Sequence, residues 1–420
     1  MALITQAPRG TKDKLPADIY KWHTVEKIAK AVAESYGFKE IRTPVFEHTE
    51  LFQRGVGGTT DIIQKEMYTF DDKKGRSLSL RPEGTAGVVR AAVENGLLGD
   101  ALPLKVFYFT NCYRYEAPQS GRYREFSQFG TEVFGANKPD CDVELIALAD
   151  DLCKRLGITR YTIEINNIGC PDCRKKFQQA LREYYEQFRE KLCRDCIERL
   201  ERNPMRLLDC KNADCICFKD NAPLMDDFHC CDCVEHFNSV KAGLNALGID
   251  YKINPLIVRG LDYYTNTVFE FCSTEGLPVF GGGGRYDGLI EEIGGNPLAG
   301  AGFGLGMERI IAVMEHDSAP FEPAKSCDIY IAGLGDEAAA KAMELTHELR
   351  RDGFWAETDL TGRSVKAQMK YADKLGARFS MVIGSNELES GVVTLKNMQN
   401  GEKQEVAINA EGIKLCLMEF

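Results

Sequence analysis

Residues 300–306 (GAGFGLG) constrain the fold most strongly, because a glycine stands at every second position. Successive side chains of a β-strand point to opposite faces, so a strand with this sequence has one face without side chains. Such a face lets a flat ligand approach the backbone. The pattern predicts a ligand-binding sheet, and a second glycine run at 281–284 also lies in β-like sequence.

Arginines stand beside glycines and carboxylates in three separated stretches. An arginine inside β-structure is costly to bury unless it meets an anion, and its planar fork suits phosphate oxygens. Arg114 and Arg309 could instead only pair with Glu116 and Glu308, but that explanation weakens when both occur with the glycine strand. The pattern predicts a polyphosphate nucleotide on an antiparallel sheet. The stretches are residues 81–85, 111–116 with their continuation 120–126, and 300–309.

The alternation of apolar and polar residues predicts two kinds of fold in one chain. Long β-like stretches separated by a polar loop, with helical patterns on either side, favour an α+β domain built on an antiparallel sheet. After a linker at 317–323, alternating strand and helix patterns predict a small α/β domain with a mixed or parallel sheet. The first part includes predicted strands at 104–115, 125–134 and 255–259 and predicted helices at 21–36 and 144–156.

Cysteine is the compositional outlier, since ten of the sixteen lie between Cys170 and Cys233. The N-terminus lacks the apolar core of a signal peptide, so we expect a cytoplasmic chain whose thiols bind a metal rather than form disulfides. The spacing Cys170-x₂-Cys173 followed by Cys193-x₂-Cys196 predicts a structural Zn²⁺ site. Further cysteines could supply a second site or exchange partners with the first, and two histidines are also candidate ligands. These are Cys210, Cys215, Cys217, Cys230, Cys231, Cys233, His229 and His236.

The formal net charge of −11 excludes a bulk polycation, so RNA would have to bind through local basic patches. No stretch approaches the roughly 20 apolar residues of a membrane helix, and we expect no membrane partner. Neither the P-loop pattern nor a G-x-G-x-x-G between strand and helix occurs, which disfavours both of those nucleotide-binding classes.

Five peptides together resemble one enzyme family. Residues 37–54, the pair Arg114 and Glu116, and residues 304–309 are similar to motifs 1, 2 and 3 of class II aminoacyl-tRNA synthetases. Residues 259–264 (RGLDYY) and 283–288 (GGRYDG) resemble the two signature peptides of the histidyl-tRNA synthetase family. The resemblance covers nearly the whole chain except the cysteine-rich segment. It implies an α+β class II catalytic domain, a C-terminal α/β anticodon-binding domain, and a homodimer formed through motif 1.

The resemblance also implies an activity and its site. We expect a histidine–tRNA ligase that activates L-histidine with ATP, supplied with Mg²⁺, and transfers histidine from the adenylate to the 3′ end of tRNA(His). Arg259 and Arg114 would be catalytic, and Arg114, Glu116, Phe126 and Arg309 would bind ATP. Histidine would be bound by Glu83, Thr85, Gln128, Glu132, Arg259, Tyr263 and Tyr264. The tRNA would be bound by Gln119, Arg122, Arg124, Arg363, Lys366 and Lys370.

The expected domain boundaries follow from these motifs and from the change in sequence texture. The catalytic domain would comprise residues 1–168 and 237–320, the cysteine-rich insertion 169–236, and the anticodon-binding domain 326–420. Two alternatives stay open: a non-catalytic, synthetase-like regulatory subunit of ATP phosphoribosyltransferase, and another class II synthetase. Against the first, such subunits usually lack the last domain. Against the second, other synthetases would not have the RGLDYY peptide.

Overall fold

A computed structural model describes residues 5–57, 60, 62–118, 121–274 and 276–419. The chain divides into two units, residues 1–322 and 323–420. No described helix has the length and apolar character needed to cross a bilayer.

The first unit combines strands from both halves of its sequence with helices on either side. Its strands are β1 Lys39–Glu40, β2 Phe46–His48, β3 Thr69–Asp71, β4 Ser77–Leu80, β5 Leu104–Tyr113, β6 Glu125–Phe134, β7 Tyr161–Asn167, β8 Lys252–Ile253, β9 Thr265–Ser273, β10 Gly281–Arg285 and β11 Gly300–Gly306. Its helices are α1 Ile19–Ser35, α2 Thr49–Gly55, α3 Thr85–Glu94, α4 Pro139–Arg155, α5 Pro171–Glu186, α6 Arg194–Arg202, α7 Ala213–Ile216, α8 Cys231–Ala246, α9 Leu289–Glu292 and α10 Met307–His316.

Eight strands form the main sheet, in the order β1-β5-β6-β11-β10-β9-β7-β8. The pairings from β5 through β7 are antiparallel, and the two short edge strands β1 and β8 are parallel to their neighbours. The expected antiparallel, α+β architecture is therefore confirmed. The glycine strand β11 lies between β6 and β10, at the centre of the sheet.

The two faces of this sheet are covered differently. Phe129, Val133 and Phe303 point to one face, where they pack with α1, α4 and α10 in one apolar core. Tyr108 and Val268 point to the other face, where they pack with α3, α9 and the cysteine-rich segment. The period-2 alternation of strands β5, β6 and β9 produces this division.

The sequence between 169 and 236 is helical rather than weakly structured. Phe177, Leu181 and Tyr185 repeat at every fourth position of α5 and are buried on one face of that helix. Residues 255–259, expected as a strand, form no strand; the short strand β8 ends at Ile253. Pro255 cannot donate a ladder hydrogen bond, which explains why the strand stops there.

The second unit has a five-stranded sheet in the order β13-β12-β14-β15-β16. The three strands β13, β12 and β14 are parallel, whereas β15 and β16 are antiparallel additions. This is the mixed sheet of a small α/β domain. The elements are β12 Ile329–Gly333, α11 Asp336–Arg351, β13 Ala356–Thr358, α12 Val365–Lys374, β14 Phe379–Ile383, α13 Ser385–Ser390, β15 Val392–Asn397, β16 Lys403–Ala407 and α14 Ala410–Glu419.

Candidate active site and cysteine centres

Three arginines that are far apart in the sequence line one cavity of about 890 Å³ over the central strands. Arg114 follows β5, Arg259 lies between β8 and β9, and Arg309 lies in the first turn of α10. Glycines of β10 and β11 form part of the same wall. The cavity is within the usual size range of small-molecule sites. The structure therefore brings these arginines together, as the sequence pattern required.

Arg114 is held against the edge of the cavity by the backbone. Its Nε donates to the Pro82 carbonyl at 2.8 Å, and its guanidinium lies 5.4 Å from the ring centre of Phe126. Glu116 is 3.9 Å from Arg114 and 3.4 Å from Arg122, so its carboxylate lies between two cations. Phe126 and Glu116 also line the cavity.

Arg309 is a second cationic residue that lines the cavity. Its Nε donates to the Gly121 carbonyl at 2.8 Å, and Nη1 donates to the Val279 carbonyl at 2.6 Å. Burial lowers the pKa of Arg309, and the positive charges of Arg122, Arg114 and Arg259 lower it further, although Glu116 opposes them. Mutual repulsion among guanidinium groups indicates a site suited to a polyanion.

The Arg259 side chain lies against Gly282 of β10. Its Nη1 is 2.5 Å from Glu270 on β9, and a Cβ at Gly282 would lie 2.6 Å from that nitrogen. Only glycine at 282 leaves room for the guanidinium. Burial alone would lower the pKa of Arg259, but the Glu270 carboxylate raises it above its usual range. Arg259 therefore remains charged in the wall of the cavity.

Glu132 on β6 is the centre of a buried polar cluster. It is 1% exposed and accepts hydrogen bonds from the hydroxyls of Thr85 at 2.7 Å, Tyr108 at 2.8 Å and Tyr286. Desolvation raises the pKa of Glu132 to about 8, although these hydroxyls act in the opposite direction. The carboxylate therefore binds a proton near neutral pH unless a cation or a further donor enters.

Aromatic rings and helix-capping contacts surround this cluster. The rings of Tyr263 and Tyr264 are 4.8 Å apart, and Tyr286 is 5.4 Å from Tyr263. Glu83 accepts the backbone N–H groups of Thr85 and Ala86 at 2.7 Å each, at the start of α3. Glu83 thus stabilises a helix end, and an ammonium ion would use its remaining lone pairs.

The glycine face of β11 is not bare, which corrects the expectation from the sequence. A Cβ at Gly302 would lie 1.9 Å from Oε2 of Glu132, and one at Gly304 would lie 2.0 Å from Nε2 of Gln128. The alternating glycines therefore make room first for polar side chains of the neighbouring strand β6. At Gly306 the nearest atom is 3.6 Å away, so only this end of the face is open.

Comparison with known proteins agrees with this geometry. Residues 10–310 match the family described as "Histidyl-tRNA synthetase", and residues 328–411 match "Anticodon binding domain". A "Histidine--tRNA ligase" of Acetivibrio thermocellus is 53% identical over 97% of this chain and 98% of its own length. The chain belongs to the histidyl-tRNA synthetase family.

Other relatives of the family point the same way. A "Histidine--tRNA ligase" of Clostridium novyi is 52% identical over 97% of both chains. The crystal structure of an apo histidyl-tRNA synthetase from S. aureus superposes with a TM-score of 0.83 at 36% identity, covering 99% of this chain and 100% of that one. The match to an anticodon-binding domain disfavours a regulatory subunit, and the family match disfavours a synthetase for another amino acid.

The residues expected to contact tRNA occupy different settings. Gln119 lies outside the described residues. Arg122 lines the cavity beside Glu116, and its side chain is 44% exposed. Arg124 stacks 3.8 Å from the ring centre of Tyr115 and donates to the Glu116 carbonyl at 3.3 Å. In this conformation Arg124 stabilises its own loop.

In the second unit, Lys366 and Lys370 lie exposed on α12. Arg363 is not on this helix, because the helix begins at Val365 after its N-cap Ser364. Arg363 is 3.3 Å from Asp359 and stacks over Tyr371, with 4.3 Å between guanidinium and ring centre. Of the three tRNA contacts expected in this unit, the two lysines therefore lie on α12, and Arg363 lies just before its start.

The cysteine-rich segment contains two separate groups of four thiols rather than one. Cys170 and Cys173 lie with Cys230 and Cys233 (centre 1), whereas Cys193 and Cys196 lie with Cys210 and Cys215 (centre 2). The sulfurs of each group lie within 4.8 Å of one another. The expectation of a single set made of Cys170, Cys173, Cys193 and Cys196 is wrong. The other possibility in the sequence, an exchange of partners, is what the fold contains.

Helix starts explain this pairing. Cys170, Cys193 and Cys230 are the N-cap residues of α5, α6 and α8, and each is followed by a cysteine in the first turn. Backbone N–H groups then point at the sulfurs: Cys170 donates to Cys233 at 3.3 Å and Cys230 donates to Cys173 at 3.1 Å. Such donors favour thiolates, the form that binds metal.

Several residues that contact the predicted site residues were missed from the sequence. Tyr108 on β5 and Glu270 on β9 point to the same face of the sheet as predicted site residues, and the alternation of side chains along a strand is a signal that could have found them. Arg174, Asn203 and Arg206 contact the 259–264 peptide from the cysteine-rich segment, and nothing in the local sequence indicates that proximity. They become visible only through the tertiary structure.

Proposed function

We propose that the arginine-lined cavity is where this histidine–tRNA ligase activates L-histidine with ATP and passes it to the 3′ end of tRNA(His). The observation that carries the proposal is the convergence of Arg114, Arg259 and Arg309 on one cavity above the glycine strands. ATP enters as its Mg²⁺ complex, which family membership implies.

In the activation step, a carboxylate oxygen of histidine attacks the α-phosphorus of ATP. The new bond joins this oxygen to phosphorus, the bond to the β-phosphate bridge breaks, and pyrophosphate leaves with its electron pair. Catalysis depends on positioning the groups and neutralising negative charge. Arg114 and Arg259 would hold the α-phosphate and the carboxylate, Arg309 would bind the far end of the triphosphate, and Phe126 would stack on adenine.

Histidine recognition is proposed for the cluster around Glu132. Imidazole has two nitrogens, and each needs a polar partner when it is buried. Glu132 and Tyr264 would contact the ring, with Tyr263 beside it. Glu83, Thr85 and Gln128 would contact the ammonium group. Substrates without a matching ring would leave buried polar groups unpaired, which gives strong discrimination.

The tRNA would be bound by both units. Gln119, Arg122 and Arg124 follow β5 and would contact the acceptor end, while Arg363, Lys366 and Lys370 would contact the anticodon region. The second unit matches an anticodon-binding domain, and this match supports the proposal. Arg124 would have to leave Tyr115 to reach RNA.

A homodimer through the motif 1 region is also proposed. Phe46 on β2 and Phe70 on β3 are 52% and 44% exposed, and their ring centres are 6.4 Å apart on a small three-stranded sheet. Paired aromatic residues in an exposed position favour burial against a second copy. Sedimentation of a Phe46→Asp/Phe70→Asp variant tests this: monomers support the interface, and an unchanged dimer refutes it.

Zinc is proposed for both cysteine centres. Thiolates at about 2.3 Å from a tetrahedral Zn²⁺ are about 3.8 Å apart. The Sγ atoms of Cys170 and Cys173 are 3.5 Å apart, and those of Cys193 and Cys210 are 3.9 Å apart, so the residues fit the ion. Bound zinc would cross-link helix starts and take no part in the reaction. Elemental analysis should find about two zinc ions per chain; a metal-free protein of full stability would refute this proposal.

The activity itself is tested by ATP–pyrophosphate exchange. Exchange should depend on L-histidine and should fail with threonine, proline or glycine in its place. Charging of tRNA(His) transcripts then tests the transfer step. Absence of histidine-dependent exchange in the zinc-loaded protein would refute the proposed site.

A further inference from the structure

We propose that the two cysteine centres position the catalytic 259–264 peptide through Arg174, Asn203 and Arg206, so that histidine activation depends on the metal bound in the cysteine-rich segment. This inference rests on the proposed role of Arg259. Arg174 and Arg206 are positioning residues in this scheme, because they contact the peptide backbone rather than the reacting atoms.

The peptide needs support from outside its own strand. Residues 254–264 form no strand between β8 and β9. Within the peptide, the Asp262 N–H donates to the Val56 carbonyl at 3.2 Å. Its carbonyl groups are held by the cysteine-rich segment, since Nη1 of Arg206 donates to the Arg259 carbonyl at 2.9 Å and Nη1 of Arg174 donates to the Asp262 carbonyl at 3.2 Å.

Two further contacts fix the same peptide. Arg174 also donates to the Tyr264 carbonyl, and Nδ2 of Asn203 donates to Oδ1 of Asp262 at 2.8 Å. Together these bonds hold the backbone on either side of Gly260 and Leu261. That backbone carries the Arg259 side chain, whose guanidinium lies against Gly282 and pairs with Glu270.

The contacting residues lie on the segments that carry the two cysteine centres. Arg174 directly follows Cys173 of centre 1, in the first turn of α5. Asn203 and Arg206 lie between Cys196 and Cys210 of centre 2, in the link formed by α6 and the turn Pro204–Leu207. A metal that joins Cys196 to Cys210 closes this link into a loop and restricts its conformations.

Centre 2 also borders the reaction cavity itself. Cys193 and Cys210 line the cavity with Arg199, Arg206 and Lys211. Asp209, beside Cys210, is 3.3 Å from Arg206 and orients that guanidinium. The metal centre, the positioning arginine and the catalytic peptide are therefore contiguous, which is the physical connection that coupling requires.

The test compares Arg206→Ala, Arg206→Lys and Arg189→Ala in the zinc-loaded full chain. Arg189 is an insertion arginine that pairs with Glu186 and Glu201 and serves as the matched control. Histidine-dependent exchange, zinc content and the unfolding temperature are measured for each. We expect Arg206→Ala to lower the kcat of exchange about tenfold or more with zinc retained, Arg206→Lys to restore part of it, and Arg189→Ala to match the wild type.

A second arm removes the metal from the wild type by graded chelation. Exchange should fall in proportion to the zinc removed, at a temperature where circular dichroism shows that the catalytic sheet stays folded, and added zinc should restore it. Unchanged kcat in Arg206→Ala, or full exchange after zinc removal, overturns the inference. Absence of histidine-dependent exchange in the untreated wild type would instead refute the proposed function.

Discussion

Glu132 accepts three hydroxyl hydrogen bonds while almost completely removed from solvent. The burial that would make this carboxylate a discriminating partner for a cationic or hydrogen-bonding ring also makes its ionisation costly in the absence of substrate. The proposed recognition of substrate and the expected pH dependence therefore have one physical origin at this residue.

We predict that Glu132 makes the substrate-free protein less stable as pH rises. In the folded state the pKa of Glu132 is about 8, above the usual 4.5, so binding of the proton stabilises the folded state. This contribution to the free energy of unfolding is lost as the pH rises from about 4.5 to about 8. The slope is at most about 1.4 kcal/mol per pH unit. Urea unfolding at pH 5.5 and 7.5 should give a smaller decline for Glu132→Gln than for the wild type. Equal declines would disprove the assignment, and Glu34→Gln, on the surface of α1, is the control.

Neighbouring arginines repel the positive charge of Arg309. Removal of the Arg309 side chain should therefore relieve this repulsion and also weaken the binding of anions. We expect Arg309→Ala to slow exchange about 10²-fold and to reduce the thermal stabilisation produced by pyrophosphate. Arg309→Lys should be intermediate, since it keeps the charge but loses the planar fork. Arg189→Ala, in the cysteine-rich segment and paired with Glu186 and Glu201, is the control. Wild-type stabilisation by pyrophosphate in Arg309→Ala would exclude Arg309 from the phosphate site.

For single residues, the sequence could predict which residue types lie in the site but not every side chain that pairs with them. Arg114, Glu132 and Arg309 were found because their neighbours form recognisable motifs. Glu270, which neutralises Arg259, was missed because its partner comes from the irregular segment before the same strand. The alternative explanation of Arg309, a pairing with Glu308, was disfavoured from the sequence, and that pair is absent among the described residues: Glu308 accepts the Ser127 N–H at 3.0 Å. A pair adjacent in sequence can diverge where a strand turns into a helix.

Among the elements, strand β11 connects the sequence pattern most directly to the site. Its glycines serve as space for Glu132 and Gln128, while Ala301, Phe303 and Leu305 fill the opposite core. The alternation was predictable from sequence. Which side chains would use the space was not, because that depends on the register with β6, in which Gly302 pairs with Glu132.

We predict opposite outcomes for alanine at two glycines of this strand. At Gly302 a Cβ would overlap Glu132 at 1.9 Å and the Thr131 carbonyl at 2.4 Å, whereas at Gly306 the nearest atom is 3.6 Å away. Gly302→Ala should cost about 1–3 kcal/mol of stability and raise the KM for histidine. Gly306→Ala should do neither. Thermal unfolding and exchange kinetics measure both, and equal behaviour of the two variants would show that the glycine face is not space-limited.

In the cysteine-rich segment, neither the helices nor the thiol pairing could be predicted from the sequence. The charged sequence of the helices obscured the periodicity, although Phe177, Leu181 and Tyr185 are correctly spaced. The thiol pairing could not be derived from spacing, because Cys-x₂-Cys units at three helix starts allow more than one arrangement. The fold selects one by bringing the start of α8 to the start of α5.

For the whole molecule, a net charge of −11 must be compatible with binding RNA. The positive charges expected to meet RNA are local: those beside the cavity and the lysines of α12. The family resemblance predicted the basic residues of both patches. It could not predict that Arg363 precedes the helix and is engaged by Asp359 and Tyr371.

Removal of the α12 lysines should affect the two half-reactions differently. The groups proposed to activate histidine all lie in the first unit, so Lys366→Ala/Lys370→Ala should leave ATP–pyrophosphate exchange at the wild-type rate. Charging of tRNA should weaken, and its dependence on log salt should become shallower by about one unit for each phosphate that is no longer neutralised. Lys341→Ala/Lys403→Ala removes equal charge elsewhere in the same unit and should change neither slope nor rate. A double variant of α12 without exchange activity would mean that the second unit supports the active site, and one that kept the full salt dependence would mean that the RNA is bound elsewhere.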